Sequence, residues 1–187
     1  LTLLKAGDFQ NGWAGYEHRT RLPHFASFQS NLAQPRWQGE SLVGKTLLVW
    51  AEQGFGDTLQ FCRFLIHVNS DGGQVVFECH PELVPLLNQL AGVEVVSRGE
   101  LPPPHDVQCP LLSLPKIFET KPANIPAPVN LRCCAAKPPL SAVDTDRLKV
   151  GLVWRGSRRN ETPEPREIPA LLLPEITRFG NAQFLSL

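Results

Sequence analysis

Phe9, Trp13, Tyr16 and Thr20 recur at helical spacing, which predicts an amphipathic helix with Asp8 as its N-cap. Leu3 and Leu4, just before Gly7, read as the tail of a preceding helix. From Arg21 to Gly44 the periodicity is lost and Pro23, Pro35 and Gly39 punctuate a polar stretch, as in a connector. Beyond it, short continuous apolar runs alternate with helical patterns. Strands are expected at residues 46–51, 74–79, 93–97 and 106–109, and helices at 57–67, 81–90 and 111–118, the 81–90 helix opening with Pro81. Strands alternating with helices imply a parallel sheet covered on both faces.

The segment 120–146 is rich in Pro, Ala and Cys and reads as an interdomain linker, with one edge strand at 129–132. A new buried strand is expected at 148–154, followed by a polar loop, a helix at 170–179 and a last strand at 183–187. The organisation is therefore a helical segment (1–22), a connector (23–45), a Rossmann-like α/β domain (46–132), a linker (133–147) and the start of a second β/α domain (148–187).

Composition narrows the function classes. Lys plus Arg equals Asp plus Glu at 18 each, so nothing in the charge favours a nucleic-acid partner. No apolar run is long enough to span a bilayer, and no signal peptide is recognisable at the start. Cys62, Cys79, Cys109, Cys133 and Cys134 lack CxxC spacing, which fits reduced thiols and a cytoplasmic location. The five histidines are scattered without metal-ligand spacing, so no metal is expected. Met is absent and residue 1 is Leu, which points to a piece of a longer chain.

Three stretches carry candidate chemistry. Gly39 to Thr46 fits the phosphate-loop pattern GxxxxGK[ST], but it precedes a strand, whereas a working phosphate loop follows one and opens a helix. Glu52-Gln53-Gly54-Phe55-Gly56-Asp57 falls at the carboxyl end of the first expected strand, where open α/β sheets bind ligands. Its Gly54 and Gly56, with Glu78 ending the second strand, half match the dinucleotide fingerprint, but Leu59 replaces the third glycine. Asp57, three residues before Gln60, could form a capping box; an ionised carboxylate in an open site could equally act as a base. Arg155-Gly156-Ser157-Arg158-Arg159, with Arg166 beyond, offers guanidinium, hydroxyl and backbone N–H donors to a diphosphate, although Glu161, Glu164 and Glu167 also fit a solvated loop.

The N-terminal pattern resembles the last hairpin of a tetratricopeptide array, and a single helix packed on the domain explains it equally well. More specifically, three blocks carry a family resemblance: Pro35-Arg36-Trp37-x-Gly39-x-x-Leu42-x-Gly44-Lys45, then Glu52-Gln53-Gly54-x-Gly56-Asp57-Thr58-x-Gln60-Phe61-x-Arg63, then Val150-Gly151-Leu152-Val153-Trp154-x-Gly156 with Arg166-x-Ile168-Pro169. Together they resemble the tetratricopeptide-linked bacterial glycosyltransferases, which are similar to the lipopolysaccharide heptosyltransferases.

The resemblance implies a GT-B fold, with a Rossmann-like acceptor-side domain and a donor-side domain that binds a nucleotide-diphosphate sugar. It implies inverting, metal-independent transfer to a glycan or protein acceptor, with no cofactor beyond the donor itself. It assigns Asp57 as base, Glu52, Gln53, Gly54 and Gly56 as substrate contacts, and Gly156, Ser157, Arg158 and Arg166 as donor-phosphate contacts. The second-domain loop is less basic than in relatives, and little of a nucleotide-binding domain is present, so this piece alone is expected to be inactive. Upstream repeats would add a protein partner. A non-catalytic interaction module and a dinucleotide-binding oxidoreductase domain remain as alternatives.

Overall fold

The computed structural model describes residues 1–23, 25, 32–68, 72–132, 146–154 and 167–186. They fall into two compact units, Leu1–Cys134 and Ala135–Leu187.

The first unit begins with two short helices, α1 (Thr2–Lys5) and α2 (Phe9–Tyr16). Asp8 caps α2 as the sequence predicts: its carboxylate accepts from the Asn11 backbone N–H at 3.1 Å and from the Asn11 side-chain amide at 2.8 Å. The helix is shorter than expected, because the chain tightens into a 3-10 turn over Glu17–Arg21. Gly12 is the point of contact between the two helices. A Cβ there would lie 2.5 Å from Leu4 Cδ2 and 3.0 Å from the Leu4 backbone N, so the glycine permits the approach of α1.

The sheet comprises β1 (Thr46–Trp50), β2 (Gln74–Cys79), β3 (Val93–Ser97) and β4 (Val107–Pro110), all parallel in the order β3-β2-β1-β4. Each strand lies within a residue of its predicted bounds. Period-2 alternation divides the side chains between two faces. Leu47, Val49, Ala51, Val75, Phe77, Cys79 and Cys109 form the main core with residues of α3 (Phe55–Phe61), α4 (Leu65–Val68), α5 (Val84–Leu87) and α6 (Leu114–Ile117), and with the turns that adjoin them. On the opposite face Leu48, Trp50 and Val76 are also buried, with the Phe25 ring 5.2 Å from that of Trp50. The expected helices break into 3-10 turns followed by a single α turn, as in Pro81–Leu83 before α5 and Leu111–Ser113 before α6. In both, a proline lies at the start of the α turn.

Two expectations need correction. The connector is not wholly irregular: Gln108 of β4 donates to Pro35 O at 3.0 Å and accepts from the Trp37 N–H at 2.9 Å, so residues 35–37 pair along the free edge of β4. Conversely, residues 129–132 form no strand. Val129 and Leu131 pack against the core, and the Gln89 side-chain amide takes the place of a neighbouring backbone, donating to Arg132 O at 2.7 Å and accepting from Arg132 N at 3.1 Å.

The second unit holds β5 (Leu148–Leu152) parallel to β6 (Ala182–Ser186), with α7 (Leu173–Thr177) in between. Arg147 donates to Ala182 O at 2.9 Å, bridging the starts of the two strands. Among the described residues no helix is long and apolar enough to cross a membrane.

Candidate functional site at the carboxyl end of β1

In the first unit β2 and β3 lie on one side of β1 and β4 on the other. The carboxyl ends of β1 and β4 therefore flank the topological switch point, the usual ligand crevice of an open α/β sheet. Residues 52–57 leave β1 here, and Leu111–Ser113 leave β4 beside them.

Glu52 faces inward, its side chain fully buried. One carboxylate oxygen accepts from Arg19 Nη2 at 2.7 Å and from the Leu112 N–H at 3.1 Å. Arg19, itself buried, also donates to Glu17 at 2.7 Å and to Ser113 Oγ at 2.9 Å. Arg36 reaches the same pair, donating to Glu17 and to Ser113 Oγ, each at 2.7 Å. Four separate parts of the chain thus converge on one charge cluster. Burial pushes the Glu52 carboxyl above its usual range, with Arg19 opposing. Burial works against the Arg19 charge too, but the Glu52 and Glu17 carboxylates hold its guanidinium above the ordinary value.

The Arg19 guanidinium also sits 4.6 Å over the Tyr16 ring. Tyr16 is half-buried, and its phenol is pushed up by burial, opposed by Arg19 and reinforced by the Glu52, Asp57 and Glu17 charges. Trp13 lies between Tyr16 and Phe61 of α3, in edge contact with both rings at 6.1 and 6.3 Å.

Asp57 is half-buried at the third position of α3. The capping box weighed for it does not form: Gly54 is the N-cap, no side chain caps the helix, and Thr58 bonds to Gly54 O through both its N–H and its hydroxyl, each at 3.0 Å. Helix α3 starts two residues before Asp57, so the Asp57 carboxylate lies past the end it would have capped. Gln53 is half-buried, and Gly54 and Gly56 are exposed. Neither glycine adopts a left-handed conformation, and a Cβ built on either meets nothing within 4 Å. Gly73, by contrast, is fixed by packing, since its Cβ would fall 2.5 Å from Leu42 Cβ.

Further along the same edge, Arg98 donates to Ala51 O and lies 3.2 Å from His80 Nε2, while the Phe55 ring meets the His80 ring edge-on at 4.9 Å. Glu78, half-buried at the end of β2, has its carboxyl raised by burial, with Arg98 and His105 opposing. The phosphate-loop-like segment behaves as its context predicts: Lys45 N–H closes a turn onto Leu42 O at 2.9 Å, Gly44 takes φ +69°, and Thr46 enters β1. Gly156, Ser157, Arg158 and Arg166 lie outside the described residues.

Sequence reasoning missed Arg19, Glu17, Ser113 and Arg36. One signal was available, since Arg19 stands three residues after Tyr16 on the apolar stripe of the helical segment, where a charge requires a buried partner.

No family model and no solved structure matches the chain. Among curated proteins it is similar to Protein FlbA of Caulobacter vibrioides, at 35% identity over 63 residues, which is 34% of this chain and 11% of that protein. The matched stretch is thus a small part of that protein's length.

Proposed function

We propose that the chain is part of a glycosyltransferase of GT-B type, in which Asp57 is the base at an acceptor site on the first unit. Asp57 takes the proton from an acceptor hydroxyl, the oxygen attacks the anomeric carbon of a nucleotide-diphosphate sugar, and the nucleoside diphosphate departs with inversion. The donor would be held by the second unit, through Gly156, Ser157, Arg158 and Arg166, and the helical segment would be the end of a tetratricopeptide array in a cytoplasmic protein.

The openness of Gly54 and Gly56 is the observation that carries this reading. Packing and backbone conformation leave room for a side chain at both positions, yet both are glycine, immediately before a carboxylate at the switch point. An acid that does not cap its own helix, with two positions free of side chains just before it, suits an approaching substrate hydroxyl.

The test compares Asp57→Asn with wild type in the full-length protein, following nucleoside diphosphate release from a panel of UDP-, GDP- and ADP-linked sugars. Asn keeps the shape and loses the base, so transfer should fall at least about 100-fold at unchanged stability. Full transfer by Asp57→Asn would overturn the assignment. A non-catalytic interaction module is favoured by one feature, the exposed Leu3 on α1 with the exposed Leu1 just before it, and on that reading none of the sugars is turned over by wild type either.

A further inference from the structure

The helical segment reaches Glu52, at the start of the turn that leads into α3 and Asp57, through the Arg19 guanidinium. Arg19 is 8% exposed and the Glu52 side chain is fully buried, and the Glu52 oxygen that accepts from Arg19 is the one that accepts from the Leu112 N–H at the start of the turn after β4. The second Glu52 oxygen and Arg19 Nε are buried and have no hydrogen-bond partner among the described residues. From other residues the Glu52 carboxylate therefore has two anchors, Arg19 and the Leu112 N–H, and only Arg19 carries a charge. A buried carboxylate that loses its cation either takes up a proton or moves toward water. Glu52 is separated from Gly54, the N-cap of α3, by one residue, so a shift of its carboxylate is transmitted directly to the start of that helix.

We infer that Arg19 is a positioning residue of the candidate site: through Glu52 it fixes residues 52–57, which makes the helical segment a built-in part of that site instead of an appended adaptor. The inference rests on the reading of Asp57 as the functional acid, but its structural content is testable without any substrate. Arg19 suits the role because its planar fork serves Glu17 from one nitrogen and Glu52 and Ser113 from the other; a lysine ammonium is a point charge and lacks that fork.

Hydrogen exchange of the intact protein, resolved by residue, measures the effect in Arg19→Met and Arg19→Lys. In Arg19→Met the amides of residues 53–58 and of Leu112 should exchange at least about 30-fold faster than in wild type, while those of β2 change several-fold less. Arg19→Lys should restore part of the protection. Acceleration by one common factor throughout β1, β2 and β3 would reduce Arg19 to a general stabiliser and overturn the inference. So would acceleration confined to residues 1–21, which would mean that the segment detaches and the loop is indifferent. Should Arg19→Met fail to fold, Glu52→Gln provides the second arm. It keeps the acceptor for Leu112 and removes the charge, so residues 9–21 should lose protection, and unchanged exchange there would equally sink the inference. If these results hold and Asp57→Asn still transfers sugar, the functional reading fails while the coupling stands.

Discussion

At the residue scale, glycines with different duties can be told apart by what a side chain would meet. Gly56 lies within the first turn of α3 with open space at its Cβ position, so Ala there removes unfolded-state freedom and improves helix propensity, stabilising the protein by up to about 1 kcal/mol. On the proposed reading, in which a substrate passes over these glycines, the same methyl group would crowd its approach. Gly56→Ala should therefore raise the thermal midpoint slightly and lower transfer by the full-length protein; a variant that is both more stable and fully active would show that the space is not used. The buried thiols make a separate prediction. Cys79 is fully buried at the end of β2, and burial pushes its thiol up to about 12 from an ordinary value of 9.0. Because the folded value is the higher one, this contribution to stability is complete below pH 9 and is lost as pH rises from there toward 12, the unfolded chain releasing its proton first. Between pH 8 and pH 10.5 the Cys79 share amounts to about 2 kcal/mol. Urea unfolding at the two pH values should show a drop smaller by that amount in Cys79→Ala; an equal drop in both proteins would exclude Cys79 as the cause. The place of Gly54, Gly56 and Asp57 just past the end of β1 was legible from the sequence because they lie close together at a strand end. Arg19, Ser113 and Arg36 were not, since their partners lie far away in sequence and no local period records such pairings.

At the scale of elements, what the sequence encoded well was the sheet. Short runs dominated by apolar and β-branched residues, buried on both faces in β1 and partly buried in the edge strand β3, appear in β1 to β4 within a residue of where the sequence places them. Helices were less legible, because in 81–90, 111–118 and 170–179 a proline follows the first turn and only a 3-10 turn plus one α turn forms. The false strand at 129–132 has a different origin. Alternating apolar residues satisfied the strand pattern, but their backbone is met by the Gln89 side chain rather than by a neighbouring strand. Helix α1 depends on one residue of α2. Replacing Gly12 with Val would force a branched side chain against Leu4, including its backbone N, so α1 must move away or the protein must absorb overpacking of about 1–3 kcal/mol. Hydrogen exchange should show loss of protection in residues 2–8 of Gly12→Val with β1 to β4 unchanged, and undisturbed protection in α1 would mean that the contact is not tight.

At the scale of the whole molecule, the two units differ in how far each can support itself. Leu1–Cys134 contains a four-stranded sheet, apolar side chains buried on both of its faces, and a charge cluster that joins the helical segment, the connector and the β1 and β4 loops. The described residues of Ala135–Leu187 form a two-stranded sheet and one short α-helix, and Leu148, Val153, Leu171 and Phe179 are between 59% and 78% exposed. Two strands with one helix are at the margin of independent stability, whereas four strands with a buried layer on each face are well inside it. Expressed separately, residues 1–134 should unfold in a single cooperative transition in urea, with near-ultraviolet dichroism from packed Trp13, Trp37 and Trp50. Residues 135–187 alone should show neither a transition nor fixed aromatic dichroism, and should expose apolar surface to a hydrophobic dye. A cooperative transition in the shorter piece would mean that its exposed leucines and phenylalanine find partners within the unit itself. Loss of the transition in the longer piece would mean that the carboxyl-terminal residues contribute to its core, against the burial seen for β1, β2 and β4.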